Sequence, residues 1–267
     1  MKLGIIGCGK MGTALVGGAV RSGVLAPAEI AGFDPFAEAL ESFARATGAC
    51  AAESLAALVA DSERLLLCVR PQDVPEVLEG VGRATVDPVP LISIAAGITT
   101  GTLERGLPAG SRVIRVMPNT PALVDKGAAA YCAGTHATEE DIAFASRLLE
   151  SVGLAMKVDE SLMDTVTGLS GSGPAFVFLM IEALADGGVN CGLTRAQALR
   201  LSAQTVLGAA AMVLETGEHP AILRDKVASP GGTTIAGLAE LERRGLRAAL
   251  IYAVDVAARK SKKLGKS

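Results

Sequence analysis

Short apolar runs alternate with helical patterns along the first 158 residues of the chain. The runs are rich in Ile, Leu and Val and lack polar alternation, as is typical of strands buried on both faces of a parallel sheet. They lie at residues 2–6, 29–33, 64–69, 90–94 and 112–116, with weaker ones at 128–132 and 154–157. Helical patterns lie between several of them, at 12–22, 36–47, 55–60 and 138–151. This alternation predicts an α/β domain with a doubly wound parallel sheet over residues 1–158.

After residue 159 the strand pattern disappears and long helical stretches dominate, which predicts an all-helical domain over residues 159–267. Ser172 and Pro174 stand where an N-cap and a first-turn proline would open a helix. The helix that follows, at 174–186, is apolar nearly all round. The adjacent Gly187 and Gly188 are expected to end it.

A second helix of this domain is predicted from a capping box formed by Thr194 and Gln197, and it is expected to stop at Gly217. Its stretch 204–214 is also too apolar for an exposed helix. A helical domain of this size has little interior in which to bury two such helices. We therefore expect a homodimer through this domain, because the interfaces of obligate dimers resemble a core cut in half. A peptide-binding or membrane-docking surface is the alternative.

The composition of the chain argues against several classes of binding partner. Half of the residues are hydrophobic, 3% are aromatic, none is Trp, and the net charge is −3. Neither stacking platforms nor a basic surface for nucleic acid is therefore expected. The five cysteines are scattered without C-x-x-C spacing and the two histidines stand apart, so no metal site is predicted. No run reaches the ~18 consecutive apolar residues of a membrane span. These features predict a cytoplasmic protein with no nucleic-acid or membrane partner.

Residues 7–12 read GCGKMG and match G-x-G-x-x-G, directly after the first predicted strand and at the start of a helix. In this pattern Gly7 makes a tight turn, Gly9 lets a pyrophosphate approach the backbone, and Gly12 lets helix and strand pack closely. The position of the motif predicts a Rossmann-type dinucleotide site in the sheet domain.

Asp34 ends the second predicted strand, where a carboxylate can hydrogen-bond a ribose 2′-hydroxyl. The same carboxylate would repel a 2′-phosphate, and residues 35–38 contain no Arg or Lys to hold one. These residues favour NADH over NADPH. The alternative is that Asp34 only caps the turn or the next helix.

Residues 229–238 read SPGGTTIAGL, a glycine-containing loop followed by two threonines and an apolar-periodic run. The first amides of a helix have no internal partner and favour negative charge. The segment therefore predicts an anion pocket with hydroxyls beside it, which suits a small acidic substrate. An ordinary helix cap is the alternative.

Four segments occur in order: GxGxMG at 7–12, MPNTP at 117–121, SGSGPAFVF at 170–178 and SPGGTTIAGL at 229–238. Together they resemble pyrroline-5-carboxylate reductase, and the resemblance covers essentially the whole chain. It implies a Rossmann-type domain followed by an all-helical dimerisation domain, with dimers often assembling into decamers. It also implies an oxidoreductase that uses NADPH or NADH to reduce 1-pyrroline-5-carboxylate to L-proline, the last step of proline biosynthesis.

The resemblance implies which residues bind the cofactor and the substrate. With Asp34 added, the cofactor residues are Gly7, Gly9, Lys10, Met11, Gly12, Asp34, Val69, Arg70, Pro71, Ala95, Ala96, Met117, Pro118 and Asn119. The residues implied for the substrate carboxylate are Ser229, Gly231, Gly232, Thr233 and Thr234. Thr234 is the predicted catalytic residue, because the second threonine of the family motif faces the imine nitrogen and its hydroxyl can donate to that nitrogen or relay a proton.

Three positions depart from the family pattern. Lys10 stands where an amide residue is common and Arg70 where Lys is common, and both keep polarity or positive charge in place. Asp34 is the third departure, and it argues against the common NADPH preference of the family.

Two other functions fit parts of the pattern. A β-hydroxyacid dehydrogenase also joins a Rossmann-type domain to a helical one, but its acid–base lysine has no counterpart between residues 161 and 186. A non-catalytic nucleotide-sensing protein would keep the fold alone. Because the predicted substrate loop and glycine turn belong to different domains, an active site shared between subunits is a further hypothesis.

Overall fold

An eight-stranded sheet organises the N-terminal part of the chain in the computed structural model, which describes residues 1–265. The strands are β1 (Leu3–Ile6), β2 (Ile30–Phe33), β3 (Cys50–Ala51), β4 (Leu65–Leu67), β5 (Pro90–Ser93), β6 (Arg112–Met117), β7 (Gly127–Ala133) and β8 (Gly153–Lys157). They are ordered β3-β2-β1-β4-β5-β6-β7-β8 across the sheet. The order of the first six is that of a doubly wound dinucleotide-binding fold, which reverses between β1 and β4.

Strands β1 to β6 pair in parallel, which confirms the sheet predicted from the buried apolar runs. The two weaker predicted strands are present as β7 and β8, but β7 runs antiparallel to β6. The short edge strand β3 consists of Cys50 and Ala51. This segment contains only small residues and no Ile, Leu or Val, so the sequence pattern did not reveal the strand.

Helices cover both faces of the sheet and dominate the chain after β8. They are α1 (Lys10–Arg21), α2 (Ala37–Thr47), α3 (Leu55–Asp61), α4 (Val74–Ala84), α5 (Thr100–Gly106), α6 (Glu139–Glu150), α7 (Met163–Val166), α8 (Gly173–Asn190), α9 (Arg195–Thr216), α10 (Pro220–Val227), α11 (Thr233–Arg243) and α12 (Leu246–Leu264). Helices α1, α2 and α6 contribute Leu15, Phe43 and Leu148 to one core cluster. Helices α3 and α4 contribute Leu58 and Leu78 to a second cluster. Burial on both faces explains why the strands lack polar alternation.

The start of α8 differs from the prediction. Ser172 has helical backbone angles (φ −87°, ψ −24°), because the π-helical residues Thr167–Gly171 lead directly into α8. Its amide donates to the carbonyl of Thr167 at 2.8 Å, five residues earlier, as is typical of a π turn. The predicted N-cap at Ser172 is therefore wrong.

The end of α8 also differs. The helix continues through Gly187 and Gly188 to Asn190, so the predicted stop at the glycine pair is wrong. A Cβ atom at Gly188 would lie 3.1 Å from the Cβ of Ala198 on α9. Gly188 thus lets the two helices pack closely. The turn after α8 is made by Gly192, whose φ of +101° is left-handed.

Helix α9 follows its prediction. The side chains of Thr194 and Gln197 form the expected capping box at its start. The helix stops before Gly217, whose φ of +65° places it in the left-handed region.

Contacts divide the chain into two units, Met1–Ser172 with Asp255–Ser267, and Gly173–Val254. The first unit holds the sheet and extends past the predicted boundary at residue 158. The second holds α8 to α11 and the first part of α12. The predicted helical domain at 159–267 stays a prediction, and its residues 266–267 lie outside the described residues.

Large apolar side chains are exposed along the helices of the second unit, among them Phe178, Leu207 and Leu214. A large exposed apolar surface marks a site of association. Within residues 1–265, one helical stretch, Glu160–Asn190, is long and apolar enough to cross a membrane by length and composition alone. A second copy of the chain is the partner that the sequence predicts for these helices.

Candidate active site

The carboxyl ends of β1, β2 and β4 surround a cleft of about 670 Å³ where the strand order reverses. Ligands of open α/β sheets bind at this point, and a volume of this size is typical of a cofactor site. Several predicted cofactor residues line the cleft: Gly7, Gly9, Asp34, Val69 and Arg70.

Two of the three glycines in the turn after β1 are required by contacts within the chain itself. Gly7 has a φ of +96°, and a Cβ atom there would lie 2.8 Å from the backbone of Cys68. A Cβ atom at Gly12 would lie 2.8 Å from the carbonyl oxygen of Gly7, so α1 packs directly on the turn. At Gly9 a Cβ atom would have no neighbour within 4 Å. The turn therefore fits a dinucleotide pyrophosphate, which needs bare, accessible backbone at this place.

Asp34 links the end of β2 to the glycine turn. Its Oδ2 accepts a hydrogen bond from the amide of Cys8 at 2.8 Å, and its Oδ1 accepts one from the amide of Phe36 at 2.9 Å. The carboxylate thus caps the turn, and it also lines the cleft. Each oxygen keeps a second lone pair that can accept from a ribose hydroxyl.

The remaining predicted cofactor residues are not part of the cleft lining that the described residues form. Lys10 borders an adjacent hollow of about 470 Å³ beside α1 and α2. Met11 packs against the core. Pro71 opens the short helical turn after Arg70. Four more lie along the same carboxyl edge of the sheet, after β5 and at or just after the end of β6: Ala95, Ala96, Met117 and Pro118.

Asn119 joins the MPNTP segment to the SGSGP segment. Its Nδ2 donates to the carbonyl of Ser170 at 3.0 Å, and its Oδ1 accepts from the amide of Ala128 at 2.9 Å. Pro174 has no N–H to offer to the carbonyls of the preceding turn, and Asn119 supplies a donor to one of them. This buried side chain, predicted to bind the cofactor, is therefore engaged by backbone groups.

The predicted substrate loop forms a tight turn before α11. The amide of Gly232 donates to the carbonyl of Ser229 at 3.1 Å, and Gly231 has the φ of +68° that the third residue of a type II turn requires. A Cβ atom at Gly232 would collide with the Ser229 hydroxyl. Since the amide of Gly232 is engaged, the amides left without an intrahelical partner are those of Thr233, Thr234 and the residue after them.

Two thiols lie beside the glycine turn. Burial raises the pKa of Cys8 to about 12, and the Asp34 carboxylate adds to the rise. Burial likewise raises the pKa of Cys68. Both thiols are therefore protonated at neutral pH, and neither is an activated nucleophile. Within residues 1–265, no three or more potential metal ligands lie together.

Sequence reasoning missed part of the cleft. The missed lining residues are Ile6, Phe33, Pro35, Phe36, Leu55, Cys68, Asp73, Glu76, Val77, Gly80 and Arg83. Five of them come from α3 and α4. Local periodicity predicts such helices but not which of their side chains border the turn, because that depends on how the helices pack on the sheet.

Two family profiles match the chain: "Pyrroline-5-carboxylate reductase dimerisation" over residues 160–264, and "NADP oxidoreductase coenzyme F420-dependent" over residues 2–97. A pyrroline-5-carboxylate reductase from Methanosarcina acetivorans is 47% identical over 99% of this chain and 98% of that protein.

Solved structures of pyrroline-5-carboxylate reductases are also similar to this chain. The pyrroline-5-carboxylate reductase of Coxiella burnetii has a TM-score of 0.93 at 34% identity and covers 100% of this chain and 99% of its own. The Plasmodium falciparum pyrroline carboxylate reductase, solved with NADP bound, has a TM-score of 0.87 at 32% identity and covers 99% and 98% of the two chains. The similarity thus extends over the sheet and the helical part alike.

Proposed function

This chain belongs to the pyrroline-5-carboxylate reductase family, and we propose that it reduces 1-pyrroline-5-carboxylate to L-proline with NAD(P)H, the last step of proline biosynthesis. The observation that carries the proposal is the presence, in one chain, of a glycine turn that fits a dinucleotide and a second turn, at 229–234, that opens a helix with unpaired amides. The first suits a hydride donor and the second a small carboxylate.

The chain's contribution to cofactor binding is position and charge. A reduced nicotinamide dinucleotide supplies the hydride when bound. The first amides of α1 and the backbone of Gly9 hold the pyrophosphate, and Lys10 adds a positive charge beside them. Asp34 accepts from the adenosine ribose. Val69, Arg70 and Pro71, with the segments after β5 and at the end of β6, border the nicotinamide half.

Substrate binding falls to the start of α11. The amides of Thr233 and its successors hold the carboxylate, because the helix dipole there favours negative charge. The Thr234 hydroxyl donates to the imine nitrogen, or relays a proton to it from water, as the amine forms. Fixing both the carboxylate and the nitrogen orients the imine carbon, and such orientation can supply several kcal/mol of barrier reduction.

The charges around the cleft support NADH over NADPH. Three carboxylates face two guanidinium groups in the lining: Asp34, Asp73 and Glu76 against Arg70 and Arg83. Arg70 is already paired with Asp73, and Arg83 with Glu79. A 2′-phosphate would add negative charge to this surface. The Plasmodium falciparum relative was solved with NADP bound. The preference for NADH that we propose for this chain therefore rests on Asp34 and not on the family.

The exposed apolar helices of the second unit form the homodimer contact in this proposal. Assembly of the dimers into a decamer is what the family resemblance implies. Hydride transfer requires the glycine turn and the α11 turn to face each other. We place them on the two chains of the dimer, so that the active site is shared. The five cysteines are free, as is usual in a reducing compartment, and we assign the protein to the cytoplasm.

The test is the loss of reduced-nicotinamide absorbance when the protein is given 1-pyrroline-5-carboxylate, with NADH and NADPH compared. We expect turnover with both and a higher kcat/KM with NADH. A β-hydroxyacid dehydrogenase would instead oxidise a hydroxy acid with NAD, and a nucleotide sensor would bind NADH without turnover. Absence of turnover with either cofactor would refute the proposal.

A further inference from the structure

An ion pair between the buried Arg115 and the half-buried Glu160 fastens the loop that follows β5. The carboxylate of Glu160 accepts hydrogen bonds from the amide of Thr100 at 2.7 Å and from its hydroxyl at 2.6 Å. Arg115 donates to the same carboxylate from Nη1 at 3.1 Å. Arg115 is only 5% exposed and Thr100 only 7%. The carboxylate therefore holds the first residue of α5 against a buried cation of β6.

The fastened loop comprises residues 94–99. Its near end is held by Ser93, whose hydroxyl accepts from the amide of Ala95 at 3.3 Å. Gly97 makes the turn with a φ of +78°, and a Cβ atom on it would lie 3.6 Å from Cα of Gly265, the residue after α12. Thr100 is the far end. The loop is thus held at both ends and has the end of α12 packed on its middle.

Arg115 comes from the strand beside the start of this loop. It is the register partner of Ser93, across β6 and β5. The cation therefore reaches from the neighbouring strand to Glu160, and Glu160 reaches Thr100. These contacts join strand β5, strand β6 and the segment that follows β8 at one place.

The topology places this loop on the nicotinamide side of the cleft. The turn after β1 takes the pyrophosphate, and Asp34, after β2, takes the adenosine ribose. Strands β2 and β4 lie on opposite sides of β1, so the other half of the dinucleotide extends past β4 toward β5. The loop at 94–99 follows β5 at that same carboxyl edge.

Stability alone is a weak reason for this arrangement. Arg115 loses most of its hydration on burial, and the solvent that reaches the half-exposed Glu160 weakens the attraction between the two charges, so the pair adds little net stability. Burial disfavours the charged form of Glu160, but hydrogen bonds from Thr100 and Arg115 outweigh it and hold the pKa of Glu160 below its usual range. What the charged cluster supplies is geometry, because two donors on Thr100 and one on Arg115 define a single position for the loop end.

We propose that Glu160 is a positioning residue for hydride transfer. Held by Arg115, it sets residues 94–99 against the nicotinamide half of the bound cofactor. The inference rests on the proposed function for its kinetic consequences, whereas its consequence for cofactor binding stands without turnover.

The test compares ligands that differ in the nicotinamide half. Glu160→Gln removes the counter-ion of Arg115, and Thr100→Val removes the hydroxyl while keeping the side-chain volume. Thr100→Ser keeps both donors and is the matched control. Glu140→Gln removes an exposed carboxylate that pairs with Arg64 and controls for the loss of a surface charge. For each protein, binding of ADP-ribose is measured by calorimetry, binding of NADH by its fluorescence, and kcat and KM with 1-pyrroline-5-carboxylate.

We expect Glu160→Gln and Thr100→Val to leave the Kd of ADP-ribose within about twofold and to raise the Kd of NADH about fivefold, on the scale of one lost hydrogen bond. We expect kcat to fall about tenfold, within the ~10²-fold that a misplacement near 1 Å can cost. Thr100→Ser and Glu140→Gln should match the unmodified protein.

Parallel weakening of ADP-ribose and NADH would overturn the inference, because it would show general damage to the cofactor domain. Unchanged NADH binding and kcat in Thr100→Val would overturn it too, even if Glu160→Gln did not fold. A lack of turnover by the unmodified chain would count against the proposed function instead. The two binding constants would still decide on Glu160.

Discussion

The carboxylate of Asp34 accepts a hydrogen bond from the backbone amide of Cys8 at 2.8 Å. Cys8 lies within the glycine turn, and the second carboxylate oxygen holds the amide of Phe36 at the start of the next loop. The residue that we expect to disfavour a 2′-phosphate therefore also braces the turn that we assign to the pyrophosphate. A substitution at this position acts on both.

Replacing Asp34 with Ser should shift the cofactor preference toward NADPH. Loss of the negative charge removes the repulsion of a 2′-phosphate, so we expect the ratio of kcat/KM for NADPH to that for NADH to rise about tenfold or more, on the order of one close charge pair near the surface. Because the turn loses part of its support, KM for NADH should also rise. Steady-state kinetics with both cofactors measure these effects.

Asp34→Asn is the matched control, since it removes the charge and keeps an acceptor for one backbone amide. It should change the preference with a smaller loss of NADH binding. A strong preference of the unmodified chain for NADPH would show that Asp34 does not select the cofactor.

Asn119→Ala should destabilise the first unit. It leaves the carbonyl of Ser170 and the amide of Ala128 without their hydrogen-bond partner in a buried place. Each unsatisfied group costs about 1–3 kcal/mol, so we expect the free energy of unfolding to fall by roughly 2–4 kcal/mol. Urea denaturation measures it, with the exposed Asn190→Ala as control. Equal stability of the two variants would contradict the structural role of Asn119.

Thr234→Ala should lower kcat/KM at least about tenfold while the protein stays folded, a cautious floor under the ~10²–10³ lost with a single transition-state donor. The hydroxyl is the group that we assign to the imine nitrogen. Thr234→Ser keeps the hydroxyl and should retain most of the activity. Circular dichroism and steady-state assays check both variants, and unchanged turnover in Thr234→Ala would remove Thr234 from the mechanism.

Leu214→Glu should weaken the dimer. The side chain of Leu214 is 77% exposed on α9, so a charge there is tolerated in one chain but would be desolvated at a helical interface. Analytical ultracentrifugation should show a shift toward monomer, with activity lost in parallel if the site is shared. Val86→Glu, at a side chain 89% exposed in the first unit, is the control. A fully active monomer would refute the shared site.

The stability of the chain should fall in acid through Asp141. Burial opposes ionisation of this residue, but hydrogen bonds from Thr138 and the charge of Arg112, whose Nε lies 2.8 Å away, hold the pKa of Asp141 below its usual range. A carboxyl with a lowered pKa stabilises the fold above its unfolded value of about 3.9 and loses that contribution as the pH falls through the folded value.

The free energy of unfolding of Asp141→Asn should therefore be roughly 3 kcal/mol lower than that of the unmodified chain near pH 7. Between about pH 4 and pH 2 it should fall less than that of the unmodified chain. Urea denaturation across this range measures both effects. Glu38→Gln, which removes an exposed carboxylate, is the control. An equally steep acid dependence in Asp141→Asn would assign the effect to other carboxyls.

The sequence by itself determined the features that rest on neighbouring residues. The buried apolar runs predicted β1, β2, β4, β5 and β6 within a few residues, because such strands need apolar side chains on both faces. The glycine turn at 7–12 was equally readable, because its motif lies within six consecutive residues, directly after the first apolar run. The ordered motifs then identified the family, and with it the function.

Only the tertiary structure decided the contacts between distant segments. A glycine costs a helix about 1 kcal/mol, and the packing of α8 on α9 at Gly188 outweighs that cost, so the local stop signal failed. The bond of Glu160 to Thr100 joins residues far apart in the chain, as does that of Asn119 to Ser170. No sequence pattern marks such pairs. A buried polar group forms its hydrogen bond with whichever partner the fold brings within reach. The packing of the whole domain decides which partner that is.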